Sequence, residues 1–303
     1  MNQESEKQTS GVTISELVAK TEHGGSPFFK SAAGTGDVQP TADEAGIQRP
    51  SGLQGSMVFV EERLRKGNML VQGSALGSAV ADEYRRIKRP LLSNAFGQSA
   101  SLHERGNLIL VTSSIAGEGK TFTAINLALS MAYEHDHTVL LIDCDVPRCG
   151  TSRMLGMDDK PGLVDVLESS EYSVANVMVK TDIPSLTLIP AGKQHDFVTE
   201  MLASQRMSEL VSEIGDRYDD RVIIFDGPPL LPTPQTQVLA GLAGQVVFVI
   251  EAGKTPQAVV EEALSMISEE KPTGLVMNKS GGISARGGYY VGYYDENRKS
   301  SGK

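Results

Sequence analysis

Two patterns in this 303-residue chain place chemistry-bearing side chains at spacings that do work together. The first is Ser114-Ile115-Ala116-Gly117-Glu118-Gly119-Lys120-Thr121-Phe122, which follows the apolar run NLILVTS and opens a stretch of helical spacing. It has the spacing GxxxxGK[ST], with Ser114 in place of the first glycine. Gly117 and Gly119 allow the backbone to curl so that its N–H groups face a phosphate, and the helix that follows adds the positive end of its dipole. In this reading Lys120 reaches the β- and γ-phosphates of ATP and the Thr121 hydroxyl binds Mg²⁺. The span Ser114–Phe122 forms the nucleotide cradle.

The second pattern is a set of acidic strand ends. One apolar run closes as Ile142-Asp143-Cys144-Asp145 and another as Phe225-Asp226-Gly227-Pro228-Pro229. In an open parallel sheet, ligands sit outside the carboxyl ends of the strands, so Asp143, Asp145 and Asp226 are expected to gather at the phosphate loop. Their hard oxygens suit Mg²⁺, which keeps several waters. One carboxylate can hold the metal shell while another accepts a proton from an attacking hydroxyl.

The elements that must carry these residues are legible from the apolar pattern. Strand-like runs occur at 107–114, 138–145, 186–192, 221–229, 245–253 and 274–281. Most are continuous in Val, Ile and Leu rather than alternating, which is the pattern of strands buried on both faces of a parallel sheet. Helical stretches of crossover length lie between them, including 121–135 and 256–270. The expected architecture is α/β, a doubly wound and mostly parallel sheet with helices on both faces. A further helix is expected over 78–96, with Pro90 ending it.

Composition frames this domain. Segment 24–57 is rich in Gly, Ser and Pro and has no apolar period, so residues 1–57 read as a flexible arm, with a short helical pattern at 13–22 that reads as a frayed helix without a role or, alternatively, as a docking segment. Residues 58–285 form the expected folded domain and 286–303 a tail. The tail region is notable because four of the chain's 8 tyrosines, Tyr289, Tyr290, Tyr293 and Tyr294, cluster there. A formal net charge of -10 argues against a nucleic-acid partner, since neutralising phosphates needs a basic face. No apolar stretch approaches the roughly 20 residues of a membrane span. The opening MNQESEKQTSG lacks the cationic and apolar regions of a signal peptide. Cys144 and Cys149 are expected to be reduced thiols. The histidines show no zinc-ligand spacing.

Taken together, Ser114–Thr121, Ile142–Asp145 and Phe225–Pro229 resemble the Walker A, Walker A′ and Walker B motifs of the bacterial tyrosine kinases of capsule and exopolysaccharide synthesis, in that family's order. The resemblance spans about residues 75–294. It includes Glu83, Arg86 and Arg89, which match an ExxRxxR motif that packs subunits of that family into a ring. The GGYYVGYY segment looks like the family's autophosphorylated tail. Two positions depart from the pattern: Pro147 shifts Arg148 by one, and Gly227 stands where the family has a hydroxyl residue.

The resemblance implies an ATP- and Mg²⁺-dependent kinase. It would phosphorylate the tyrosines of its own tail in trans within a homo-oligomer, with Lys120, Asp143 and Asp145 catalytic and Thr121, Asp143 and Asp226 holding the metal. Asn278, at the end of the last apolar run, would read the adenine edge. The type it resembles is cytoplasmic, peripheral at the inner face of the membrane through a transmembrane co-polymerase partner, and opposed by a tyrosine phosphatase. Two alternatives share the fold: a partition or septum-type ATPase, and an ATP-binding regulatory module. The first typically carries an extra Lys early in the loop, where this chain has Ser113 and Ser114.

Overall fold

The computed structural model describes residues 57–71, 77–98, 100–134, 136–218 and 220–280. The arm up to residue 56, with its helical pattern at 13–22, and the tyrosine tail lie outside the described residues. The elements in chain order are α1 (Glu61–Lys66), α2 (Gly77–Phe96), β1 (Leu108–Ser113), α3 (Lys120–Ala132), β2 (Thr138–Asp143), α4 (Gly150–Leu155), α5 (Leu163–Glu168), α6 (Val174–Val177), β3 (Val179–Lys180), β4 (Leu186–Ile189), α7 (Val198–Leu202), α8 (Gln205–Asp216), β5 (Arg221–Asp226), α9 (Gln235–Leu242), β6 (Gln245–Glu251), α10 (Gln257–Leu264) and β7 (Thr273–Asn278).

The strands form one seven-stranded sheet in the order β3-β4-β2-β5-β1-β6-β7. All pairings are parallel except β3 with β4, and β3 is only two residues long. That edge strand has no periodicity a sequence reading could detect. The six expected strands are all present, each trimmed to its extended part. The residues beyond β2 and β5 leave the sheet to form the site. The helix expected over 256–270 is shorter and closes at Leu264.

Alternate residues of each central strand enter opposite core layers, as the two-residue period requires. Leu108, Leu110, Leu140, Ile142, Ile223, Phe225, Val246 and Phe248 pack on one face with α5–α10. Ile109, Val111, Val139, Leu141, Val222, Ile224, Val247 and Val249 pack on the other with α1, α2 and α3. Burial on both faces accounts for the unbroken apolar runs.

Pro90 does not end its helix. α2 runs from Gly77 to Phe96 with Pro90 inside it. Proline removes the N–H that would bond the Arg86 carbonyl four residues back, a cost of about 3 kcal/mol in a helix interior. Packing on both sides of Pro90 outweighs this. Tyr84 and Leu91 are buried in the layer shared with α3. Lys88 is buried, donates to the Ser130 carbonyl at 2.5 Å and pairs with Glu134 at 2.6 Å at the end of α3. Burial also raises the Tyr84 phenol to about 12.

Candidate active site

β1 delivers the chain to the phosphate loop and α3 leaves it at Lys120. Gly117 (φ 92°) and Gly119 (φ 101°) occupy left-handed backbone that side-chain-bearing residues rarely adopt. At Gly119 a Cβ would also fall inside the Asn278 amide. The Glu118 carboxylate is buried and folds back to accept the Ile115 N–H at 2.8 Å, closing the loop on itself. The Ser114 hydroxyl is buried without a partner. Lys120 is buried at the first turn of α3, with its ammonium 3.9 Å from Asp145. Burial lowers its pKa, while Asp145 and Asp226 act against that shift.

Asp143 and Asp226 end β2 and β5 as register partners across the parallel pair. The turn after Asp143 reverses the chain: the Arg148 and Cys149 N–H groups both donate to the Asp145 carbonyl, and Cys149 takes a left-handed φ of 47°. This turn places α4 over the strand ends. Thr151 then donates its hydroxyl to Asp226 Oδ2 at 2.8 Å. Ser152 donates its N–H and its hydroxyl to Asp143 Oδ2 at 2.8 and 2.7 Å. The other oxygen of each carboxylate, Oδ1, is buried with no partner.

This arrangement raises both acids. Desolvation pushes Asp143 to about 6, only partly offset by the Ser152 bonds. Desolvation and then the neighbouring Asp143 charge push Asp226 to about 7, against the Thr151 hydrogen bond and the nearby Thr121 hydroxyl. Asp145 is raised by burial, against the pull of Lys120 and Arg148. Two unpartnered carboxylate oxygens beside the Thr121 hydroxyl make a hard oxygen set with open positions, which fits Mg²⁺.

Lys120, Thr121, Asp143, Asp145 and Asp226 are therefore brought to one place at the carboxyl edge of the sheet. Asn278 joins them from β7, where its amide nitrogen donates to the Glu118 carbonyl at 2.8 Å. The Phe122 side chain packs into the α1–α3 core layer, so only its backbone is left for the loop. Glu83, Arg86 and Arg89 are exposed on α2, away from the buried Tyr84 and Lys88. Tyr289, Tyr290, Tyr293 and Tyr294 lie outside the described residues. Gly227 has a local reason: a Cβ there would lie 2.6 Å from Leu110 Cδ1 in the core. Cys144 and Cys149 are buried and free, and burial raises both thiols. Thr151 and Ser152 have no signal in the sequence beyond being a hydroxyl pair six and seven residues past Asp145.

A phosphate loop between a buried parallel strand and its helix, faced by acidic ends of neighbouring strands, defines a phosphate-loop nucleotide-binding domain. Residues 106–273 match the AAA domain family. The chain is 31% identical over 201 residues to the tyrosine-protein kinase YwqD of Bacillus subtilis, covering 65% of this chain and 80% of that protein. It is 30% identical over 208 residues to the tyrosine-protein kinase wzc of Salmonella typhimurium, covering 67% of this chain and 28% of that one. The crystal structure of the VpsO kinase domain is similar at 26% identity and a TM-score of 0.54, covering 66% of this chain and 98% of that domain. The chain belongs to the AAA domain family and, within it, to the bacterial tyrosine kinases. It spans about a quarter of the length of the wzc relatives. Among the described residues no helix is long and apolar enough to cross a membrane.

Proposed function

We propose that this protein is an ATP-dependent protein-tyrosine kinase that phosphorylates the tyrosine cluster of its own C-terminal tail. The observation that carries this reading is the meeting of Lys120, the raised Asp145 and the two unpartnered oxygens of Asp143 and Asp226 at one phosphate loop. ATP hydrolysis alone needs only a positioned water. A raised carboxylate standing outside the metal pair suits a tyrosine hydroxyl, whose pKa near 10 makes it a poor nucleophile at neutral pH.

Thr121, Asp143 and Asp226 would hold Mg²⁺, which when bound neutralises charge on the nucleotide phosphates. Lys120 and the loop N–H groups bind the β- and γ-phosphates and stabilise the charge that develops on them. Asp145 accepts the phenol proton as the tyrosine oxygen bonds to the γ-phosphorus. The bond from that phosphorus to the bridging oxygen breaks, and ADP leaves. Asn278, at the end of β7, reads the adenine edge. Burial of these groups excludes water and strengthens each interaction.

The acceptors are Tyr289, Tyr290, Tyr293 and Tyr294, presented in trans within a homo-oligomer whose contacts include Glu83, Arg86 and Arg89. The exposure of those three residues supports this role. A transmembrane co-polymerase activates the kinase at the inner face of the membrane, a tyrosine phosphatase resets it, and nucleic acid has no part. The output is control of capsule or exopolysaccharide polymerisation and export. The organisation proposed with it is a flexible arm over 1–57, a kinase domain over 58–285 and an acceptor tail over 286–303. Each phosphate adds about -1.5 to -2 charge at neutral pH, so a filled tail is repelled by an acidic body and the oligomer loosens.

Incubation of the protein with Mg·ATP followed by anti-phosphotyrosine detection tests this. Wild type is expected to label, Lys120→Ala not to, and the fourfold Tyr→Phe tail variant to lose nearly all signal. Labelling that survives Lys120→Ala, or ATP turnover with no phosphotyrosine, rules the reading out. Light scattering before and after phosphorylation tests the loosening, and an unchanged mass rejects it.

A further inference from the structure

The phosphate loop is gripped from outside by residues that phosphate chemistry alone does not call for. Lys279 follows β7 in left-handed backbone, φ 57°. Its ammonium donates to the Gly117 carbonyl at 2.6 Å and pairs with Glu251 at 3.2 Å. Its neighbour Asn278 takes the next carbonyl, that of Glu118. From the turn after β6, Thr255 donates its hydroxyl to Glu118 Oε1 at 2.6 Å, and the Glu251 N–H approaches the same oxygen at 3.4 Å. The ends of β6 and β7 thus hold two successive carbonyls and one side chain of the loop.

The geometry of the peptide unit gives this grip a consequence. A trans peptide is planar, so its C=O and the following N–H point in opposite directions. Pulling the Gly117 carbonyl toward Lys279 turns the Glu118 N–H the other way. Pulling the Glu118 carbonyl toward Asn278 does the same to the Gly119 N–H. Glycine at 117 and 119 leaves these planes free to flip unless something holds them. We infer that Lys279, seconded by Thr255 through Glu118, is a positioning residue: a clasp on the outer rim of the loop that keeps the 118 and 119 amides aimed at bound phosphate. This inference rests on the nucleotide-site reading above. It assigns to Lys279 and Thr255 a role beyond the Lys, Thr and Asp residues that touch substrate or metal.

The test is calorimetric binding of Mg·ATP and Mg·ADP to the full chain, with melting temperature measured without nucleotide. Lys279 is half exposed, so Lys279→Met is expected to leave the nucleotide-free melting temperature close to wild type. Both nucleotides are expected to bind about tenfold more weakly, the loss of one charge-assisted hydrogen bond. Lys279→Arg should restore most of the affinity. Thr255→Val should weaken binding severalfold by releasing Glu118. In turnover KM for ATP should rise and kcat should fall, because the same amides stabilise the developing charge, and Lys279→Arg should recover both. Wild-type affinity in both Lys279→Met and Thr255→Val overturns the clasp while leaving the nucleotide site standing. Affinity lost in Lys279→Met but not restored by Lys279→Arg also overturns it. Failure of the wild type itself to bind nucleotide overturns the site reading and the clasp with it.

Discussion

Asp143 and Asp226 stand side by side as register partners at the ends of β2 and β5, each with one oxygen held by α4 and one oxygen unpartnered. Desolvation, joined at Asp226 by the neighbouring Asp143 charge, holds their protons well above the ordinary value of about 3.9.

Stability without metal should therefore fall as pH rises. Asp143 titrates at about 6 and Asp226 at about 7 in the fold, while both ionise near 4 when unfolded. Between those limits the folded state holds more protons than the unfolded state, so raising the pH through this window removes stability. Asp145 is shifted in the same direction. Thermal melts without metal from pH 4.5 to 7.5 should show a declining midpoint. Mg²⁺ should restore more at pH 7.5 than at pH 5.5, where it competes with protons. A flat profile contradicts the raised pair.

Asp226→Asn should separate stability from function. The amide removes the buried charge and still accepts from Thr151, so the metal-free melting temperature at pH 7.5 should rise. Mg²⁺-dependent stabilisation and tyrosine phosphorylation should both disappear. Calorimetry with Mg·ATP and an anti-phosphotyrosine blot check the two halves.

Gly119→Ala should fold poorly and bind no nucleotide. The left-handed φ alone costs about 1–2 kcal/mol for a residue with a side chain. The methyl group would also displace the Asn278 amide from the loop. Chemical denaturation and fluorescent-nucleotide titration read these effects, and an intact affinity would contradict the geometry.

Lys88→Ala should destabilise by about 2 kcal/mol, because it strips a partner from the buried Ser130 carbonyl. Glu134→Gln should cost less than about 1 kcal/mol, since that end of the pair is partly exposed. Urea denaturation of the two variants distinguishes them. Equal losses would mean that the ion pair, not the carbonyl bond, holds α2 to α3.

Pro90→Ala should raise stability by about 1–3 kcal/mol by restoring the missing N–H inside α2. A melting point no higher than wild type would show that the proline is accommodated without cost.

Most of the sheet and the charged half of the site could be read from residue order, because both depend on local pattern. Unbroken Val/Ile/Leu runs mark doubly buried strands, and Gly-Lys-Thr followed by helical spacing marks the loop. What escaped depends on tertiary contacts. The two-residue β3 is too short to have a period. Pro90 stays helical because Lys88 and Leu91 are anchored around it. Thr151 and Ser152 gain their roles only when the turn at Cys149 folds α4 back over the strand ends. Asn278 is legible from its position at a strand end, but its bond to the Glu118 carbonyl links residues 160 positions apart.

Every charged group of the centre is rooted in the last residue of a buried strand, in the turn directly after one, or in the first residue of a helix packed on the sheet. The centre accordingly has no melting transition of its own. Heat or urea should abolish nucleotide binding at the midpoint where the sheet is lost, with no earlier step in which an intact fold carries a dead site.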